Sequence, residues 1–270
     1  MTNVMKQSKV NDQNQVLATC LLAGRIMIEG GSEMYRVEDT MRRIAVNAGQ
    51  PDTLVFTTPT GIFASIENQP YIQERPINKR SIDMEKVARV NQLSRSFAAK
   101  EIDLGDLHAA LTQLDQNTPF FPISWQILSA AVVSVTLMIL FAQKYDWFDI
   151  PLAAVVGAIG FWVDIKVNTI TNIRFISELL GALAVGLTAW IGVRLGWGHS
   201  LDNIIIGAIM PLVPGVAITN SIRDMLAGHL LSGMVRGMES ILSACAIGVG
   251  IAIIFRFFPQ FTIQVQHPDD

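Results

Sequence analysis

The sequence predicts a soluble α+β N-terminal domain over residues 1–118, followed by an α-helical membrane bundle of five transmembrane helices over residues 119–270. Three observations lead there. Only 16% of the 270 residues are charged, against about 25% in an ordinary soluble domain, and the mean hydropathy is +0.38. The deficit is local: 27 of the Lys, Arg, Asp and Glu residues fall in residues 1–121 and 16 in residues 122–270. Finally, apolar runs of membrane length recur in the second part, while the first part alternates helical and strand periodicities.

In the N-terminal part, Gln15–Glu29 places Val16, Leu17, Cys20, Leu21, Gly24 and Met27 on one helical face. A second helix over Arg36–Asn47 ends at Ala48-Gly49, where glycine suits the cap. Thr53–Thr58 and Gly61–Glu67, separated by Pro59-Thr60, read as a β-hairpin. Tyr71–Gln73 and Ile77–Ile82 offer further short strands. Helices over Met84–Ala99 and Leu104–Leu114 lead through Pro119-Phe120-Phe121-Pro122 into the membrane part.

The uncharged runs there are Gln116–Gln143, Ile150–Val163, Leu179–Val193, Asn203–Ile222 and Ser240–Phe255. A helix needs about 20 residues to cross the hydrocarbon. The first and fourth runs are long enough alone; the others draw Asp164, Glu178, Glu239 or Arg256 towards the boundary. The N-terminal stretch MTNVMKQSKVNDQNQ lacks the apolar core of a signal peptide, which predicts a cytoplasmic N-terminal domain. Inner segments then carry Lys166, Arg174, Arg223 and Arg236, and outer ones Lys144, Arg194 and Arg256, a slight excess inside.

Other classes are disfavoured. A net charge of −3 gives no footprint for nucleic acid. Cys20 and Cys245 are too far apart in sequence to form a CxxC, and no metal-ligand spacing, P-loop or nucleophile elbow is present, so neither metal, cofactor nor enzyme is expected. His108 reads as a surface residue, and His199, His229 and His267 fall in separate segments.

The sharpest local signal is Met210-Pro211-Leu212-Val213-Pro214-Gly215-Val216 inside the fourth run. Each interior proline removes a backbone hydrogen bond and clashes with the preceding turn. Broken helices in lipid face protein or water, and secondary transporters build sites from them; the bland alternative is a packed kink. Beyond the break, Asn220 and Asp224 share a helical face, whereas Arg223 and Asp224 point differently. A polar cytoplasmic loop is the alternative for this stretch. Asp164 and Glu178, near the boundary, are either solvated carboxylates or proton carriers. Ser240, Ala244, Gly248 and Ala252 form a small-residue stripe that suits packing within the chain or between copies of it. In the N-terminal part, Ser32 or Glu33 would suit the start of the second helix. The same stretch, with Glu33, Arg36, Glu38, Thr57, Thr58 and Thr60, is where a hydrolase-like site would lie.

The motifs G-S-E-M-Y-R-V-E-D (Gly31–Asp39), T-T-P-T-G (Thr57–Gly61), N-Q-L-S-R (Asn91–Arg95) and P-G-V-A-I-T-N-S-I-R-D-M-L-A-G (Pro214–Gly228) resemble the bacterial threonine/serine exporter family, from about Val16 to about Phe255. The resemblance implies export of a small amino acid or carboxylate driven by the proton gradient. Some members carry both halves on one chain with ten spans, and others are split. A chain of this length resembles the longer component of a split pair, which implies a second, shorter membrane subunit as partner. One split branch is associated with succinate-type dicarboxylates. Carried over residue by residue, the motif points to Pro214, Gly215, Asn220, Asp224, Gly228, Gly233 and Arg236.

The resulting expectation is a substrate path involving Pro211, Pro214, Gly215, Asn220, Arg223, Asp224, Gly228 and Arg236. Arg223 or Arg236 would attract a carboxylate, and Asp224 would take an amino group or a proton. The rivals are a membrane-anchored hydrolase with its site in residues 15–115, and a sensor that binds a metabolite and moves nothing.

Overall fold

Helix α1, Thr2–Glu29, opens the chain and α2, Met34–Asn47, returns against it. The computed structural model describes residues 2–67, 72–77, 81–116, 121–143, 146–171 and 173–258, with side chains from residue 13 onward. The α2 helix buries Met34, Val37, Met41, Ile44 and Ala45, one face of a 3.6-residue period. It ends in a Schellman arrangement: Gly49 adopts φ +78°, its N–H donates to the Val46 carbonyl, and the Gln50 N–H donates to Ala45.

Strands β1 (Thr53–Thr58), β2 (Gly61–Ile66) and β3 (Gln73–Pro76) form an antiparallel sheet in the order β1-β2-β3. The predicted hairpin is present, with Thr58 opposite Gly61 across Pro59-Thr60. The turn is fastened by Thr58 Oγ1, which donates to the Gly61 carbonyl and accepts the Gly61 N–H. The third strand lies two residues later than Tyr71–Gln73, and Tyr71 itself is outside the described residues. Of the predicted Ile77–Ile82 strand, residues 78–80 are outside them too; Ile77 donates one hydrogen bond to the Thr60 carbonyl.

Helices α3 (Met84–Ala98) and α4 (Leu104–Gln116) complete this part. Asp83 caps α3 by accepting the Lys86 N–H. The core joins Leu17, Leu21, Ile26 and Met27 of α1 to α2, Ile62 and Ala64 of β2, Val90 of α3, and Leu107 and Leu111 of α4. Within it, burial raises the Cys20 thiol to about 12, so it is an inert packing group. His108 is half-buried rather than on the surface, its ring nitrogen 3.0 Å from the Thr19 hydroxyl.

The remaining elements are α5 (Ile123–Ala142), α6 (Asp149–Thr171), α7 (Arg174–Arg194), α8 (Leu201–Ile209), a 3₁₀ turn Met210–Leu212, α9 (Gly215–Leu226) and α10 (Leu230–Phe257). Among the described residues, α5, α6, α7 and α10 are long and apolar enough to cross a membrane. The broken pair α8 with its 3₁₀ turn and α9 makes up to a fifth. Outward residues on these helices include Leu128, Val132, Leu140, Ile170, Ile241 and Val249, an apolar surface too continuous for water.

The last span begins ten residues before the expected Ser240, so Arg236 and Glu239 are helical. Its buried face is also different: Ser243, Ile247 and Ile254 are buried, while Ala244, Gly248 and Ala252 of the small-residue stripe face outward. The inward face is chosen by Gly250, which lies against Ala182 and the Leu179 carbonyl of α7, and by Ile254 against Gly186.

Two compact units result, and they do not follow a single cut in the sequence. One comprises Met1–Pro119 with Val216–Met238; the other comprises Phe120–Gly215 with Glu239–Asp270. In the second, a core of Val156, Ala182, Val185, Ala189, Ile204 and Ala208 joins α6, α7 and α8.

Candidate functional site

The break in the fourth apolar run lies where the prolines predict it. Pro211 sits in the 3₁₀ turn, and Val213, the residue before Pro214, is driven to an extended conformation (φ −66°, ψ 128°), which ends the helix. Helix α9 restarts at Gly215 and ends in a second Schellman arrangement. Gly228 has φ +91°, its N–H donates to Met225, and the His229 N–H donates to the Asp224 carbonyl. A glycine is needed there, and the chain then reverses into α10. Ser221 Oγ donates to the Gly233 carbonyl at 2.7 Å and holds the two helices together.

Polar side chains of α9 and α10 converge on the turn between α1 and α2. Asn220 Nδ2 donates to the Gly31 carbonyl at 2.8 Å, and Arg236 Nη2 donates to the Ser32 carbonyl at 2.9 Å. The Met34 N–H donates to Asp224 Oδ1 at 2.8 Å. That last bond explains an oddity of α2. Glu33 occupies its N-cap position but makes no side-chain cap bond, and Ser32 does not serve either. The orphan N–H and the positive helix end are met by the carboxylate of Asp224 from 190 residues away. Arg236 Nη1 lies 3.2 Å from Asp224 Oδ2, an ion pair by distance, although that oxygen receives no hydrogen bond of good geometry. Asp224 is fully buried.

Beside this seam, Glu33 is flanked by two half-exposed guanidiniums, Arg223 Nη1 at 2.8 Å and Arg36 Nε at 3.4 Å. Burial alone would raise the Glu33 carboxyl. Its backbone hydrogen bond and the two arginines outweigh that and hold it below the ordinary carboxylate range. Stability from this contact is therefore present above the unfolded value and lost as pH falls through the folded one. Thermal melts of wild type and Glu33→Gln across the acid range should converge as pH drops. Parallel curves would mean that the carboxylate contributes nothing.

Glu38 points elsewhere. Its Oε1 accepts both the Thr57 hydroxyl (2.9 Å) and the Thr57 N–H (3.3 Å), tying α2 to β1. His229 Nδ1 stands 3.9 Å from the same oxygen. The carboxylate lies between histidine and hydroxyl, so the histidine cannot take the Thr57 proton as a triad base would. Thr57 is itself buried, and Thr58 is used by the hairpin turn.

The other expected residues belong to the second unit. Pro211 lines a cavity of about 410 Å³ with Trp125, Gln126, Ser129 and Phe161. Glu178 is buried and paired with Arg174 at 2.9 Å. Asp164 Oδ1 and Glu178 Oε2 are both buried without a hydrogen-bond partner.

Asp146 and Asp149 meet the sequence-distant His199, a trio singled out by no motif, with ligand atoms within 4.8 Å of one another. Asp149 accepts the N–H groups of His199 and Ser200 where α8 begins, and the half-buried Asp146 carboxylate, held low by the Phe148 N–H and His199, faces the imidazole. Asp149 thereby ties the segment before α8 to the start of α6.

Three comparisons bear on what this arrangement serves. A protein named "Probable threonine/serine exporter" from Mycobacterium tuberculosis is 23% identical over 256 residues, covering 93% of this chain and 48% of its own length. The chain thus spans about half the length of that curated relative. No solved structure matches. The family model for threonine/serine exporters, ThrE, matches residues 18–258. With motif, broken helix and match coinciding over nearly the whole chain, the protein belongs to the threonine/serine exporter family.

Proposed function

We propose that the chain is the longer subunit of a two-chain secondary exporter that moves a small amino acid or small carboxylate out of the cell. The N-terminal domain lies in the cytoplasm, five crossings follow, and the second subunit is a shorter membrane protein. The matched relative carries about as much chain again. One observation carries the mechanism. The half-helix that follows the break is fastened by Asn220, Asp224 and Arg236 to the turn before α2. In this reading, the Pro211–Gly215 break belongs to the path, where freed backbone groups and half-helix ends meet the substrate. Asn220, Asp224 and Arg236 hold α9 in place, Gly228 turns the chain, and the half-exposed Arg223 and Arg36 receive a substrate carboxylate before it enters.

Cells loaded with labelled threonine, serine or succinate provide the test. They should export only when this chain and a companion matching the other half of the Mycobacterium tuberculosis relative are both made. Export by this chain alone would remove the two-subunit reading. No export of any of the three solutes with both chains in the membrane would remove the transport reading.

A further inference from the structure

Helices α6 and α7 enclose a polar group that the seam does not use. On α7, Arg174, Ser177, Glu178 and Gly181 fall on one face by their spacing. Asp164 of α6 lies against that face: a Cβ built on Gly181 would stand 3.3 Å from the Asp164 Cβ, and Asp164 experiences the charges of Glu178 and Arg174 with Ser177 beside it. Both carboxylates are well inside the helices. Asp164 is about 10 Å before the end of α6, and Glu178 about 6 Å into α7, at 1.5 Å per residue. The apolar side is closed by Leu212 of the 3₁₀ turn, whose Cδ1 is also 3.3 Å from the Gly181 position.

The hydrogen-bond inventory is short by one donor. Arg174 Nε occupies Glu178 Oε1, and the Ser177 hydroxyl donates to the Arg174 carbonyl at 2.8 Å. Ser177 is close enough to interact with Asp164, but its one hydroxyl proton goes to Arg174, and among the described residues Asp164 Oδ1 and Glu178 Oε2 accept no hydrogen bond. The charge balance is short by one as well: two carboxylates face one guanidinium. The other elements packed on α6 offer no remedy. Neither α5 nor the 3₁₀ turn has a titratable residue, α8 has only Asp202, in its first turn, α6 itself adds Asp149 at its start and the exposed Lys166, and α10, which packs on α7, carries Arg236, Glu239 and Arg256. One bound proton cancels both shortfalls.

We propose that Asp164 and Glu178 form a single proton-binding site, in which Asp164 takes the proton and donates its O–H to Glu178 while Arg174 balances Glu178. The only bond made on binding is Asp164 O–H, and the site becomes neutral. Loss of the proton leaves one uncompensated negative charge beside Leu212, on the turn where the fourth apolar run is broken. As the coupling site for export this rests on the function proposed above; as a proton site it does not.

Infrared pH titration of the purified full chain in lipid vesicles reads the proton directly, through the carbonyl stretch of a protonated carboxylic acid. Wild type should show such a band near neutral pH. Asp164→Asn should abolish it, and Glu178→Gln should weaken proton binding at least tenfold. Arg174→Gln should add a second protonated carboxyl, since Glu178 then loses its cation. No protonated buried carboxyl in wild type near neutral pH overturns the site even if every variant misfolds, and so does a band that survives Asp164→Asn. If the band behaves as expected but Asp164→Asn still exports at the wild-type rate, the proton site stands and its role in coupling falls.

Discussion

Asp224→Ala should destabilise the protein by about 3–5 kcal/mol, because it leaves the buried Arg236 without its counter-ion and the first N–H of α2 without an acceptor. Asp224→Asn should cost less, since an amide oxygen still accepts from Met34 while only the charge is lost. The difference between the two variants reports the hydrogen bond that the neutral amide oxygen keeps, roughly 0.5–1.5 kcal/mol. Combined with Arg236→Met, the alanine variant should lose less than the two single changes together, which is the mark of a coupled pair. Thermal unfolding of the full chain in detergent provides the measurement. A loss below about 0.5 kcal/mol for Asp224→Ala, the range of an inert surface change, would show that the carboxylate does not hold the turn.

Restoring a continuous helix should stop transport and leave the protein inserted. Pro214→Ala returns a backbone donor, and Gly215→Ala removes a flexible position. Nothing lies within 4 Å of a Cβ added at Gly215, so the second change brings no clash. With the companion subunit present, the double variant should export at under about a tenth of the wild-type rate, equivalent to roughly 1.4 kcal/mol or more. Efflux normalised to the amount of protein in the membrane is the readout. Near-normal efflux would reduce the break to a packed kink.

Much of this was legible because periodicity and proline chemistry are local. The α2 face, the Pro59-Thr60 hairpin, the cap at Gly49 and the stop at Val213-Pro214 each follow from a few adjacent residues. What was not legible depends on partners far along the chain. The expectation that Asn220 and Asp224 share a face agrees with their joint hold on the α1–α2 turn, yet nothing in either segment names the other. Ser32 looks like a cap until Asp224 takes its place. In β1 the sequence offers Leu54, Val55 and Phe56 as apolar candidates, but Thr53 and Thr57 face inward while Leu54 and Phe56 are exposed. Glu38 explains the choice at Thr57, since its two hydrogen bonds satisfy a polar residue that would otherwise be costly to bury.

The remote cap on α2 also sets a schedule for biogenesis. At about 5–20 residues per second, Asp224 leaves the ribosome roughly 10–40 s after the Met34 amide it must meet. During that interval the first helices have a hydrophobic core but an open α1–α2 turn, and three apolar helices of spanning length have already been made. The N-terminal fold is therefore locked late, by a segment that arrives only after most of the bundle has been synthesised. A chain truncated before residue 216 would keep its core and lack its latch, a form that a quality-control protease can tell from the finished protein.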